Sequence, residues 1–293
     1  MLKIIKYIII FLFMSALFST YFFLSSHNKK NKPVFKTPVK PPQRIISLGT
    51  SITEELFLLG EGHEIIGDTI YDVKPKQAKS IEKVGSVTEI NVEKIVRLKP
   101  DIVFATSLTD PREKEEIKKL GIKVITFSEP ESFNQICSQF LELGKTVGKQ
   151  QKAENIINKS KQEVNLLRKK VKNLPKKKVF VELGTNPLFA ATGNTFINDF
   201  ITFAGGINIA QNAGSGIYSR EEVIKQNPDV IIVADMGFLT NDEKKMWKRY
   251  RTINAVKNHK IFGINSYQLD SPTPETFPKT LKKLIYLIQG KNI

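Results

Sequence analysis

One short motif occurs twice in this chain, and it limits what the chain can fold into. Asn91-Val92-Glu93-Lys94-Ile95-Val96-Arg97-Leu98-Lys99-Pro100-Asp101 leads into the apolar run Ile102 to Ala105. Ser219-Arg220-Glu221-Glu222-Val223-Ile224-Lys225-Gln226-Asn227-Pro228-Asp229 leads into Val230 to Ala234, and every matched position is offset by 128. In each copy a cap residue, Asn91 or Ser219, opens a short helix with Glu at its second position. Pro-Asp then closes the helix and a buried-type strand follows. A helix-Pro-Asp-strand unit is a common local solution. Its recurrence once in each half predicts two related lobes.

The surrounding pattern predicts what each lobe contains. Arg44-Ile45-Ile46-Ser47-Leu48 reads as a strand, and Gly49-Thr50-Ser51 turns into a helix that ends at Gly60. Ser51 with Glu54 three residues on reads as a capping box. Asp101 to Ala105, Ile122 to Phe127, Val179 to Leu183 and Val230 to Ala234 read as further strands, and Glu113 to Leu120 as a charged helix stopped by Gly121. Strand-helix alternation implies parallel sheets with helices on their faces. Residues 147–173 break the rhythm with one polar helix carrying a single apolar stripe, Ala153, Ile156, Ile157, Val164, Leu167 and Val171. A helix of that length between two α/β halves reads as a strut. The expected fold class is therefore α/β, with two Rossmann-like lobes of parallel sheet, one long rigid helix joining them and a ligand cleft between.

The N-terminus bears on the compartment. Lys3 and Lys6 precede the apolar run Tyr7 to Leu24, which as a helix reaches about 27 Å, enough to cross a bilayer core. No good cleavage site follows, and no cysteine stands nearby to take a lipid. The run reads as a signal or retained membrane anchor. Pro33, Pro38, Pro41 and Pro42 among lysines then read as an extended linker. The expected segments are 1–26 anchor, 27–43 linker, 44–146 N-terminal lobe, 147–173 strut and 174–293 C-terminal lobe.

Charge and metal chemistry narrow the function. Lys and Arg number 45 against 29 Asp and Glu, for a net charge of +16. The lysines read as scattered, without a dense basic stripe or interleaved aromatics, so no nucleic-acid partner is expected. Cys137 is the single cysteine, and His27, His63 and His259 stand far apart. No spacing suits a transition-metal site, and no metal ligand or intrinsic cofactor is expected. The turn Leu48 to Thr53 lacks the G-x-G-x-x-G of a dinucleotide site and no G-x-S-x-G elbow occurs, so no catalytic residue is expected.

The opening Arg44 to Glu54, Gly67 to Tyr71, Pro75, Lys83-Val84-Gly85, Asn91 to Phe104, Asn186 to Phe189, Gly205 to Asn208, Ser219 to Val233 and Ile253 to Lys257 come in a familiar order and spacing. In these the chain resembles the periplasmic binding proteins that serve ABC importers of vitamin B12, haem and ferric siderophores, over roughly residues 44–290. The resemblance implies a monomeric extracytoplasmic binding protein, not an enzyme, with cobalamin, haem or a ferric siderophore as cargo. It implies docking to ABC permease subunits through Glu93 and Glu221, one per lobe, the positions that meet permease arginines in the vitamin B12-binding members. Tyr71 and Phe189 match aromatic positions over the corrin ring in those members. The turns beyond the strand ends add Ser51, Thr106, Tyr218, Tyr267 and Asp270 as ligand-binding candidates. The competing reading is a membrane-anchored ligand sensor that uses the same fold without transport.

Overall fold

The protein is described by a computed structural model covering residues 40–235 and 240–292. The apolar run Tyr7 to Leu24 lies outside the described residues. Among them no helix is long and apolar enough to cross a membrane.

The N-terminal lobe runs β1 (Ile45–Ser47), α1 (Thr50–Leu59), β2 (Ile65–Gly67), α2 (Val92–Arg97), β3 (Ile102–Thr106), α3 (Pro111–Lys119) and β4 (Lys123–Phe127). Its four strands are parallel, in the order β2-β1-β3-β4. Two helices follow, α4 (Phe133–Thr146) and α5 (Gln150–Val171). The C-terminal lobe runs β5 (Lys177–Thr185), β6 (Leu188–Ala190), α6 (Phe196–Phe203), β7 (Gly206–Asn208), α7 (Arg220–Gln226), β8 (Val230–Asp235), α8 (Thr240–Trp247), α9 (Asn254–Lys257), β9 (Ile261–Asn265), α10 (Ser266–Asp270) and α11 (Thr276–Gln289). Its sheet has the order β6-β5-β8-β9. The start of β5 pairs parallel with β7 and its end pairs antiparallel with β6.

The repeated motif is a repeated piece of architecture. Asn91 Oδ1 accepts from the Lys94 amide at 2.8 Å, and Ser219 Oγ accepts from the Glu222 amide at 3.1 Å. Both helices end on a residue with positive φ, Lys99 at 49° and Asn227 at 51°. The aspartate after the proline then clamps the first strand of its lobe. Asp101 Oδ2 accepts from the Arg44 amide at 3.0 Å, and Asp229 Oδ2 from the Lys178 amide at 2.9 Å. Each carboxylate thus satisfies an amide at a strand's start that the ladder leaves open.

Two expectations change. Helix α1 is capped by Gly49, which makes no side-chain bond, so Ser51 and Glu54 form no capping box. A Cβ at Gly49 would stand 2.7 Å from Thr106 Cγ2. The turn is built for close approach to β3, and the helix begins two residues earlier than a Ser51 cap would set it, which carries Ser51 into the first turn. The strut starts at Gln150, not 147, because Gly148 (φ 71°) separates it from α4. Its 22 residues make a helix of about 33 Å.

The lobes share one hydrophobic core. It runs from Ile45 and Phe104 through Ala153, Val164 and Val171 on the strut to Leu281 and Ile285. At its centre the fully buried Phe277 of α11 stacks on Phe200 of α6 at 4.0 Å and meets Phe133 of α4 at 4.4 Å. Beside it, the Phe133 amide donates to Asp199 at 2.8 Å. The α5 stripe therefore packs against both lobes.

Candidate ligand cleft

The ends of β3 and β4 and the segment after β9 line a groove between the lobes. Its floor is a cavity of about 50 Å³ lined from the N-terminal lobe by Ser51, Glu55, Thr106 and Glu129, and from the C-terminal lobe by Phe196 and Asp270. The candidates Ser51, Thr106 and Asp270 thus line one cavity. Across one side, Thr50 Oγ1 and Ser271 Oγ are hydrogen-bonded at 2.8 Å.

Two of the floor's acids were not singled out in the sequence. Glu55 is 7% exposed and makes no hydrogen bond or ion pair among the described residues. Burial pushes its carboxyl well above the usual carboxylate range, and Glu54 adds to the rise. Glu129 is raised by desolvation alone. Asp270, walled by both lobes though open to solvent, is pushed up to about 6 by the same cause. Among the described residues no lysine or arginine lines this cavity. The signal for Glu55 was available: it falls between Ile52 and Leu56 on the apolar side of a helix, where a carboxylate is costly without a purpose.

Outside this cavity each lobe exposes large apolar side chains. Ile70 and Tyr71 are 54% and 56% exposed on the loop after β2, and Leu108 is 55% exposed after β3. Asp72 shapes the first loop by accepting from the Thr69 amide at 2.8 Å and the Thr69 hydroxyl at 2.5 Å. Lys83 ties it down through Asp68 at 2.7 Å and the Asp72 carbonyl at 3.1 Å. Burial pushes the Asp68 carboxyl up to about 7, against the opposing pull of Lys83. On the other lobe Phe189 of β6 is 40% and Ile217 58% exposed, the two joined by an isolated antiparallel bridge. The Phe189 ring lies over Gly216, where an added Cβ would come within 2.7 Å of it.

Two candidates have partners of their own within the fold. Tyr218 packs its ring on Phe180 at 5.7 Å and donates its hydroxyl to the Ile209 carbonyl at 3.2 Å. It belongs to the C-terminal lobe's own core. Tyr267 bridges the lobes: its ring sits under Lys74 at 4.2 Å, and its hydroxyl is buried against Glu54. Burial and Glu54 raise the Tyr267 hydroxyl, and burial raises Glu54 against the pull of that hydroxyl.

Glu93 and Glu221 lie outside the floor. Each is exposed at the second position of its helix and carries no ion pair among the described residues.

A family model for periplasmic binding proteins matches residues 45–267. This chain belongs to the periplasmic binding protein family. An ABC transporter substrate-binding lipoprotein of Bacillus subtilis, YvrC, is 32% identical over 77% of this chain and 74% of its own. The vitamin B12-binding protein of Yersinia pestis is 32% identical over 72% of this chain and 76% of its own. Among solved structures, the periplasmic heme-binding protein RhuT of Roseiflexus sp. RS-1 superposes with a TM-score of 0.75 at 25% identity, covering 84% of this chain and 97% of its own. These relatives of the family are named as binding proteins. The two-lobe α/β fold with parallel sheets is the family's.

Proposed function

We propose that this chain is the extracytoplasmic substrate-binding component of an ABC importer whose cargo is an amide-bearing corrinoid of the cobalamin type. The observation that carries the cargo reading is the charge of the floor. Glu55, Glu129 and Asp270 converge there with no cation among the lining residues. Carboxylates and carboxylic acids offer acceptors to amide N–H donors. A corrinoid edge studded with amides satisfies them. The propionates of haem, or the oxygens of an anionic ferric catecholate, would meet the Asp270 carboxylate, ionised above about pH 6, and would find no cation to replace lost water. A cavity of about 50 Å³ takes a substituent rather than a macrocycle. The ring would stand above it between Tyr71 and Phe189, whose flat faces supply apolar area.

The full chain, screened by thermal shift, tests this. Cobalamin or cobinamide is expected to raise the melting temperature, since a ligand at a hundred times its Kd adds about 2.7 kcal/mol. Stabilisation by haem and not by either corrinoid would sink the cargo assignment. Joint Glu129→Gln and Asp270→Asn should narrow the gap between corrinoids and haem.

Delivery is assigned to Glu93 and Glu221, supported by their exposure and matched helical frames. Tethering is assigned to Tyr7 to Leu24, on the length of its apolar run. The chain is expected in the membrane fraction with its original N-terminus intact. Recovery of a soluble form that starts near His27 would show a cleaved signal instead.

A further inference from the structure

The end of the strut holds a concentration of charge that the cleft does not use. Residues 168–178 read Arg-Lys-Lys-Val-Lys-Asn-Leu-Pro-Lys-Lys-Lys, without an acid. The scatter expected of the lysines fails here. The fold gathers Arg168 and Lys169 of α5, its C-cap Lys172, and Lys176 just before β5 around an open groove of about 500 Å³ that Asn165 and Thr202 also line. Among the described residues no carboxylate lines it. None of the four cations forms an ion pair among the described residues. Asp199, the acid whose carboxyl Arg168 influences, already accepts from the Phe133 amide.

Basic residues in a helix's last turn offset its macrodipole, and that accounts for Arg168 and Lys169. It does not account for Lys176 beyond the helix. Nor does it account for the posture of Arg168, whose guanidinium is stacked over the Phe203 ring at 4.2 Å. A stacked guanidinium keeps its planar fork of donors free at the edge and already ordered, the form that suits phosphate oxygens. Arg168, Lys169 and Lys172 spread over about 6 Å of helix axis. One phosphate fills a small part of the groove, whereas successive phosphates would meet successive cations. A flat lipid surface reaches the rim of a groove and not its floor.

We propose that this groove binds a polyanionic chain of closely spaced phosphates, as in a polyphosphodiester. The site flanks the start of β5, where Lys177 pairs with Gly206. That is the end of the sheet opposite the carboxyl edge that forms the cleft. Occupancy therefore leaves the cargo site open.

The test titrates the full chain with long-chain inorganic polyphosphate across a range of salt. A variant with Arg168→Gln, Lys169→Gln, Lys172→Gln and Lys176→Gln is compared with a charge-matched control, Lys119→Gln, Lys123→Gln, Lys145→Gln and Lys257→Gln, all exposed positions elsewhere. The groove variant is expected to bind at least tenfold more weakly. Its slope of log affinity against log salt should fall by about 2–3, at roughly 0.7 for each phosphate of a single-stranded polyanion that is no longer neutralised. The control should stay within twofold of the parent. A lysine-only triple variant keeps the Arg168 stack, and should show a smaller loss of the same kind with an unchanged melting temperature. Equal losses in groove variant and control would reduce the effect to diffuse net charge and overturn the site. Displacement by orthophosphate at the same total phosphate would overturn the chain and leave a single-ion site.

Discussion

Alanine at both Glu93 and Glu221 is expected to abolish delivery of cargo to the permease while leaving cargo affinity within a few-fold of the parent. Each carboxylate stands exposed at the second residue of a capped helix, away from the residues that line the floor. Exposed acids in a first turn add only about 0.3–1 kcal/mol to stability, so the variants fold. Across an interface the balance differs. Truncating one partner of a desolvated, hydrogen-bonded charge pair costs about 2–5 kcal/mol, much of it the burial of an unpaired arginine. Each single variant should weaken permease binding by about thirtyfold or more on that scale. The measurement is permease affinity in detergent alongside cargo titration. Collapse of cargo binding with permease binding intact would place these residues in the cleft and remove the docking assignment.

Phe277→Ala should be the most damaging single change to stability. The side chain is fully buried, stacked on Phe200 and in contact with Phe133. Those partners come from helices α6 and α4, which serve different lobes. Removing a buried phenyl ring costs about 3–5 kcal/mol through lost transfer energy and the cavity left behind. That is a large share of the 5–15 kcal/mol typical of a domain. Phe189→Ala is the control. Its ring is 40% exposed, and its loss should weaken cargo binding with little change in the urea midpoint. A midpoint for Phe277→Ala near the parent's would mean the lobes do not depend on this ring.

Legibility in the sequence followed the range of the interactions involved. The strands announced themselves through short β-branched runs. Each of the five expected appears within two residues of its place; burial on both faces leaves little choice of residue in β1, β3 and β8, and in the more exposed β4 the β-branched run Val124 to Thr126 carries the signal. The echo was visible because Asn91 and Ser219 cap their own helices within three residues, although the Asp101 and Asp229 clamps reach 57 and 51 residues along the chain. The capping box failed because Gly49 answers to Thr106, a contact between segments distant in sequence. Tyr218 and Tyr267 looked alike as loop aromatics. One was claimed by Phe180 and the other by Lys74, and neither partnership has a local signature. The Thr50–Ser271 bond closes over 221 residues. Even the basic run at 168–178 gained meaning only when Phe203 fixed one of its members in place.

The matched clamps of the two lobes have a further consequence. Asp101 and Asp229 set each short helix against the first strand of its own sheet in the same way, so each half presents its exposed glutamate in a similar frame. On the docking reading, such a molecule meeting a receptor made of two like subunits has two ways to sit, related by a half turn. Cargo leaves by the same cleft in either pose. What breaks the tie is the local inequality of the copies: Arg220 beside Glu221 is pulled to Glu243 at 3.2 Å, whereas Val92 beside Glu93 brings no charge. Beside Glu93 stands Lys94, while Glu222 stands beside Glu221, so handedness at the receptor would then rest on the charges flanking each docking residue.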